Sequence, residues 1–483
     1  MPSTNIWWLR NDLRLHDNEC LHLALEAEQV LAVYCFDPRH YRWLDEPGFR
    51  KTGIHRYRFL CQCLEDLRYQ LRQRGGDLLI LHEKPEDALP RLAVAHNADN
   101  IFAQCEIASE ETKVSENVNA ALSRLGIQCY LELVWGRTLY HLDDIPYEAE
   151  TIPKTSKAFR INVSKATQPR DLLPTPDRIP KPAKLTDWGE PPKPSALGYS
   201  EQERATPEQL VYHGGERAGL DRLQYYTFDT ELLTRYRATR NLSLGLDYSS
   251  KLSTYLAHGC LSPRKVWHVV KQYEREVKKN GSTWKLLFEL VWRDYFQYQA
   301  LRYGDKIFAA GGLKDREVAW SHDKALFKRW QRGRTGVPYL DAHLIEMAET
   351  GFMSNRGRVN AASFLTRDYR IDWRWGAAWM EHCLLDYDVA SNWLNWSTQA
   401  TEIWYTNPVH QALKYDPKGD YTLTWLPQLK ALPRPLFHAP WLFDEAELHE
   451  RGITDYEPPV EVYAKWSRAV GRIQKAAQGV KTE

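Results

Sequence analysis

Between residues 4 and 135, five short apolar runs alternate with helical patterns, and this alternation restricts the fold more than any other feature of the chain. The runs are NIWWL near the start, VLAVYCF (30–36), DLLILH (77–82), NIFAQ (100–104) and IQCYLELV (127–134). They are rich in β-branched and aromatic residues and flanked by Asp, Asn, Gly or charged residues, as buried strands are. Between the second and third runs, Phe59, Leu60, Cys63, Leu64, Leu67 and Leu71 fall on one helical face, and Gly75-Gly76 stops that helix. Strands separated by helices predict a parallel, doubly wound five-stranded sheet with right-handed crossovers, an α/β fold. No Gly-x-Gly-x-x-Gly follows the first run, so the sheet is not expected to hold a pyrophosphate in the usual dinucleotide manner.

The character changes at residue 146. Ten prolines recur from Pro146 to Pro194, and apolar periodicity is lost up to about residue 205. Such a stretch reads as a semi-rigid connector over the surface, long enough to wrap a domain or serve a function. From about 206 the pattern is helical, and fourteen of the nineteen Trp lie after residue 260. The expected organisation is an α/β domain over 3–140, a linker over 141–205 and an all-α domain over 206–483. A net charge of +1 provides no global basic field, so a nucleic-acid partner must be held by a local patch. The eight cysteines form no Cys-x-x-Cys and no Cys/His spacing suited to zinc, which points to free thiols in a reducing compartment. The N-terminus turns charged too early for a signal peptide, and no apolar run reaches membrane-spanning length. A cytoplasmic protein without a membrane partner is expected.

Chemistry concentrates in four stretches. Residues 351–396 hold five Trp in their last 26 positions, with apolar spacing from Ala361 to Leu385 that reads as helix broken near Asp372. Arg358 could pair with Asp386 or Asp388, and Asn392 and Trp396 lie one helical turn apart, so both could face one ligand. An aromatic core with structural Arg–Asp pairs and a cofactor pocket account for this stretch equally well. In DYSSKLSTYLAHGCLSPR (247–264), Ser249, Ser250, Ser253 and Lys251 suit a phosphate cradle, although a serine-rich helix cap explains the serines more simply. In FELVWRDYF (288–296), Glu289 and Arg293 share a helix face around Trp292, either as a surface ion pair or as a pocket-facing one. The run FKRWQRGRTG (327–336) carries Lys328, Arg329, Arg332 and Arg334, either a phosphate-binding patch or a solvated face. No metal motif, P-loop or nucleophile elbow competes with these.

Taken together, WWLRNDLRLHDN, GGERAGLDRLQYY (214–226), DYSSKLSTYLAHGCLSPR, FELVWRDYF, TGFMSNRGRVNAASF, IDWRWG and DYDVASNW resemble the photolyase/cryptochrome flavoproteins over nearly the whole chain. GRTLYHLDDIPY (136–147), SNRGR (354–358) and DYDVASNW are most similar to the DASH branch of cryptochromes. The resemblance implies an α/β antenna domain, a wrapping linker and a helical domain that binds FAD. By position it assigns Tyr236, Ser249, Ser250, Lys251, Leu252, Ser253 and Arg293 to cofactor contacts. Asp386 and Asp388 become carboxylates at the flavin edge, with Arg358 paired to Asp386, and Asn392 faces flavin N5. Trp396, Trp373 and Trp320 match an electron-transfer chain from flavin to surface. Glu106 matches an acidic contact to a folate antenna, 5,10-methenyltetrahydrofolate. Arg240, Glu289, Asn355, Arg356 and Gln411 stand at DNA or substrate positions.

Two features depart from the family. Thr398 stands where relatives carry an aromatic against the lesion, and the loop 399–411 is shorter than theirs. One lost base–aromatic stack costs about 1–3 kcal/mol of lesion binding unless Trp404 or Tyr405 refills the wall. Val359 is apolar where DASH relatives usually carry a polar residue. The resemblance therefore implies a monomeric blue-light FAD photoreceptor that binds DNA and is read by an unidentified partner. The alternative is a light-driven pyrimidine-dimer photolyase on single-stranded DNA, where the target base is already unpaired.

Overall fold

The computed structural model describes residues 2–205, 212–402 and 405–479. Five strands, β1 (Thr4–Leu9), β2 (Gln29–Cys35), β3 (Leu78–Leu81), β4 (Ala98–Gln104) and β5 (Tyr130–Val134), form one parallel sheet. Their order is β3-β2-β1-β4-β5, with every pair parallel, the doubly wound arrangement that the alternation predicts. Period-two alternation divides the side chains between two cores. Trp7, Val30, Ile80 and Phe102 pack on one face with helix α1 (Ile54–Arg72). Ile6, Trp8, Val33 and Ile101 pack on the other with the helices Pro85–His96 and Ser109–Leu125. All six apolar residues read onto one face of α1 are buried. Gly75 ends the helix at φ +83°, letting the Gly76 N–H return 2.9 Å to the Leu71 carbonyl.

The sheet face bearing α1 continues without a break into the helical half. Leu252, Leu256, Leu286 and Leu290 belong to the same apolar core as Trp7 and Leu64. Polar contacts fix the seam. Glu216 accepts from the Leu15 N–H at 2.7 Å and the His16 N–H at 3.1 Å, and its Oε1 lies 2.5 Å from His16 Nδ1. Gly259, at φ +67°, leaves no room for a side chain, since a Cβ would stand 2.0 Å from the Asn11 carbonyl oxygen.

The connector departs from the sequence expectation in one respect. It holds an 11-residue helix, α2 (Ser156–Ala166), in the proline-free window between Pro153 and Pro169. Two apolar residues suffice to dock it: Phe159 and Val163 are buried, and the Phe159 ring lies 5.4 Å from that of Tyr298. Apart from short helical turns and the helix Glu201–Ala205, the rest runs extended over the α/β layer, where Pro180 O accepts from the Val30 N–H at 2.7 Å.

The segment 351–396 folds as three helices, α4 (Asn355–Arg367), α5 (Trp373–Cys383) and α6 (Val389–Thr401), beside the long α3 (Gly281–Tyr303). The break falls where expected, with Asp372 capping α5 by accepting the Arg374 N–H at 3.0 Å. A second aromatic core forms around Trp330, Trp373, Trp375, Trp396 and Trp466. All eight cysteines are free. Among the described residues no helix is long and apolar enough to cross a membrane.

Candidate functional site

A cavity of about 390 Å³ opens between α3, α4, α6 and the loop 248–253, within the usual size of a cofactor site. It gathers Tyr236, Ser249, Ser250, Lys251, Leu252, Ser253, Arg293, Arg358, Asp386, Asp388, Asn392 and Trp396, twelve of the residues singled out from sequence. Arg240, Glu289, Asn355 and Val359 also line it. Both accounts of 351–396 therefore hold at once: the stretch supplies an aromatic core and one wall of the cavity.

The serine-rich loop does not cap the short helix Ser253–Ala257. Leu252 occupies the cap position, no side chain closes the cap, and the serines line the cavity. Lys251 sits in the left-handed region at φ +61°, is 4% exposed, and packs its ammonium 3.5 Å from the Tyr248 ring centre and 4.1 Å from that of Phe352. Among the described residues it has no carboxylate within ion-pair distance. Burial pulls its pKa down to about 7. A buried ammonium in this state lacks an anion, and a phosphate group would satisfy it.

Arg358 Nη2 contacts both oxygens of Asp386, at 2.8 and 2.9 Å, and its Nε donates to Met353 O. Asp388 caps α6, accepting from the Ser391 N–H and from Gln297 Nε2, each at 2.8 Å. Burial alone would raise the Asp388 pKa, but Arg137 and Arg293 outweigh it and hold the carboxyl below its usual range. Asn392 donates to Ala377 O at 3.0 Å, which fixes the amide and leaves its oxygen unpaired among the described residues. Trp396, one turn further along α6, packs over Gly376 of α5 and donates to Met380 Sδ at 3.3 Å.

The other two tryptophans of the expected series stand outside the cavity. Trp373 is fully buried at the start of α5 and Trp320 is partly exposed. Their indole N–H groups donate to one acceptor, the Ala310 carbonyl, at 3.0 and 3.1 Å. Pairing of Ser321 with the chain on either side of Ile371 holds them together (Ser321 N to Arg370 O, 2.8 Å; Asp372 N to Ser321 O, 3.0 Å). Exposure thus rises from Trp396 and Trp373 to Trp320.

Three expectations need correction. Glu289 and Arg293 both face the cavity but do not pair. Glu289 is held by Arg240 and by Lys285 (2.8 Å), whereas Arg293 donates to Arg137 O at 2.6 Å. The basic run 327–336 is divided: Lys328 and Arg332 are solvated, whereas its other two arginines are engaged within the protein. Arg329 pairs with Glu457 at 2.8 Å, Arg334 pairs with Asp455, and Trp330 is fully buried, so these three residues anchor the C-terminal segment. Tyr405 does not refill the cavity wall. Its hydroxyl donates to Asp368 at 3.1 Å and accepts from Trp466 Nε1 at 2.7 Å. Trp404 lies outside the described residues, and Thr398 is not among the lining residues. Arg356 and Gln411 stand together beside exposed Asn355: Arg356 Nη1 lies 3.4 Å from Gln411 Oε1, and its guanidinium lies over Tyr415.

Glu106 lines a second cavity of about 160 Å³ between sheet and helices. Its carboxylate is already engaged. Arg137 pairs with Oε2, while Asn11 and Gln104 donate to Oε1 at 3.2 and 3.1 Å. Burial is outweighed by Arg137 and Arg10, which lower its pKa. Arg137 also reaches Asp388 at 3.3 Å. Sequence reading missed Arg137, since nothing in GRTLYH marks it as more than an ordinary basic residue.

Two family models match: the FAD binding domain of DNA photolyase over residues 286–475 and DNA photolyase over residues 5–182. A cryptochrome DASH of Natronomonas pharaonis is 44% identical over 474 residues, covering 96% of this chain and 99% of that protein. A chloroplastic/mitochondrial cryptochrome DASH of Solanum lycopersicum is 43% identical over 456 residues, covering 90% of this chain and 79% of that one. The crystal structure of a Synechocystis cryptochrome superposes with a TM-score of 0.89 at 40% identity, covering 98% of this chain and 99% of its own.

Proposed function

Because the chain belongs to the photolyase/cryptochrome family, among the DASH-type cryptochromes, we propose that it is a blue-light-absorbing FAD flavoprotein that serves as a photoreceptor and binds DNA. The observation that carries this reading is the single cavity that combines the 249–253 loop, the Arg358–Asp386 pair, Asp388, Asn392 and Trp396. Lys251 and the serines hold the phosphates, with Tyr236 and Leu252 enclosing that end and Arg293 adding charge. Asp386 and Asp388 meet the polar edge of the ring system, and Asn392 is the amide assigned to flavin N5. Bound FAD supplies the light absorption and the one-electron chemistry. Trp396, Trp373 and Trp320 relay an electron inward from the surface, since short tunnelling steps outrun one long jump. Trp396→Phe is expected to abolish most light-driven reduction while FAD stays bound; flavin photoreduction at the wild-type rate would remove the relay.

A folate antenna, 5,10-methenyltetrahydrofolate, belongs to this reading as an occupant of the second cavity. Glu106, which already accepts from Arg137, Asn11 and Gln104, is the carboxylate assigned to contact it. DNA, single-stranded or dimer-containing, is assigned to the mouth beside Arg240, Glu289, Asn355, Arg356 and Gln411. A monomer in the cytoplasm completes the proposal.

The second reading, a pyrimidine-dimer photolyase on single-stranded DNA, draws support from the polar groups Arg240, Glu289 and Asn355 around the cavity. Against it stand Thr398 and the inward-turned Tyr405. Illumination of the reduced protein with dimer-containing oligothymidine separates the two. Restored thymine absorbance over many turnovers establishes repair, whereas intact flavin photoreduction without repair establishes the sensor.

A further inference from the structure

Glu106, Arg137 and Asp388 form one line of buried charge. Glu106 follows β4, Arg137 follows β5 and Asp388 caps α6, so the line crosses the seam between sheet and helices. All three side chains are at most 7% exposed. Glu106 opens onto the second cavity, whereas Asp388 borders both cavities. One cation therefore serves two carboxylates of which only Asp388 also borders the larger cavity. Arg137 pairs with Glu106 through Nη1 and reaches Asp388 at 3.3 Å through Nη2. The Asp388 Oδ2 accepts from Arg137, while its Oδ1 accepts from Gln297 and the Ser391 N–H. In a dry interior, a guanidinium that loses one carboxylate is drawn fully to the other.

We propose that Arg137 is a positioning residue that couples the two cavities: a ligand that donates to Glu106 releases Arg137 to close on Asp388 at the edge of the larger cavity. The chemistry that Glu106 selects is a cation or a planar pair of N–H donors, since such groups replace a guanidinium on a carboxylate. The inference rests on the flavin reading of the larger cavity. Closure of Arg137 on Asp388 makes that edge less negative and favours electron gain by a bound flavin. Coupling between sites is reciprocal, so flavin reduction in turn strengthens binding in the second cavity. Of the other charged groups near Glu106, Arg10 contributes a fixed charge, whereas burial and Glu106 raise the Glu111 pKa to about 7, so the potentials are compared at one pH.

The test is the flavin midpoint potential of the FAD-loaded protein, measured by dye equilibration alongside FAD content. Glu106→Gln is expected to raise the potential and Arg137→Met to lower it, with Arg137→Lys close to wild type. The rise caused by Glu106→Gln should shrink severalfold on the Arg137→Met background, which a simple packing role would not produce. Methenyltetrahydrofolate, used as the probe, should raise the wild-type potential and leave that of Arg137→Met unmoved. Potentials unchanged in both Glu106→Gln and Arg137→Met, with FAD retained, would overturn the coupling. Failure of the wild type to hold FAD would overturn the flavin reading, and the coupling with it. If Arg137→Met does not fold, the potential of Glu106→Gln decides alone.

Discussion

Lys251 combines a left-handed backbone, near-complete burial and a pKa drawn down to about 7. Each raises the energy of the empty site, and a bound phosphate relieves the electrostatic part by restoring the ammonium. FAD binding should therefore take up a proton above pH 7, with affinity falling by at most about tenfold per pH unit from there. Binding titrations between pH 6 and 9 check this, and Lys251→Met should bind weakly with a flat profile. The empty protein shows the opposite trend. Its folded Lys251 pKa lies below the unfolded value of 10.5, so the unfolded chain binds more protons between about pH 7 and 10.5, and stability rises with pH across that window. The motif around Lys251 was legible, because hydroxyls and a lysine near a helix start suggest a phosphate. Its missing partner was not, since that depends on Tyr248 and Phe352 arriving from either side. Arg137 was invisible for the same reason: its two carboxylates lie 31 and 251 residues away in sequence.

At the level of elements, α5 and α6 meet where Trp396 lies over Gly376, and an added Cβ there would stand 2.3 Å from Cη2 of the indole. Gly376→Ala should force the ring aside, destabilise the protein by about 1–3 kcal/mol and slow flavin photoreduction. Denaturant melts and reduction kinetics read the two effects separately. Periodicity located α4 and α5 and the break at Asp372 between them. It failed for the Glu289–Arg293 pair because a shared face does not decide pairing. Arg240, from a different element, claims Glu289, and the Arg137 carbonyl claims Arg293. The connector helix α2 was missed because two apolar residues, Phe159 and Val163, set no visible period, and tertiary packing stabilises it instead.

On the scale of the molecule, the sheet and helices share one core, and Glu216 serves as a polar clamp between them. Glu216→Ala would leave the two amides and the imidazole it engages without their acceptor, at a cost of roughly 3–5 kcal/mol measurable by equilibrium unfolding. Burial is outweighed by His16 and the two amides, which depress the Glu216 pKa; its contribution is present above the normal carboxylate range and fades as pH falls. Alternation of strands and helices made the fold class legible. The docking was not, because it depends on contacts such as Gly259 against Asn11, distant in sequence and unmarked by any pattern. The connector has a further effect on the sheet it crosses. β3 is an outer strand, and the connector takes up its Ile80 N–H with the Trp188 carbonyl at 2.9 Å. Gly189 lies so close to Ile80 O that any Cβ would come within 2.1 Å. Pro180, Pro182, Pro191 and Pro192, on either side, have no N–H to extend a ladder. The segment that joins the two halves thus blunts an edge that would otherwise template pairing with another chain, so resistance to self-association is part of what its proline content achieves.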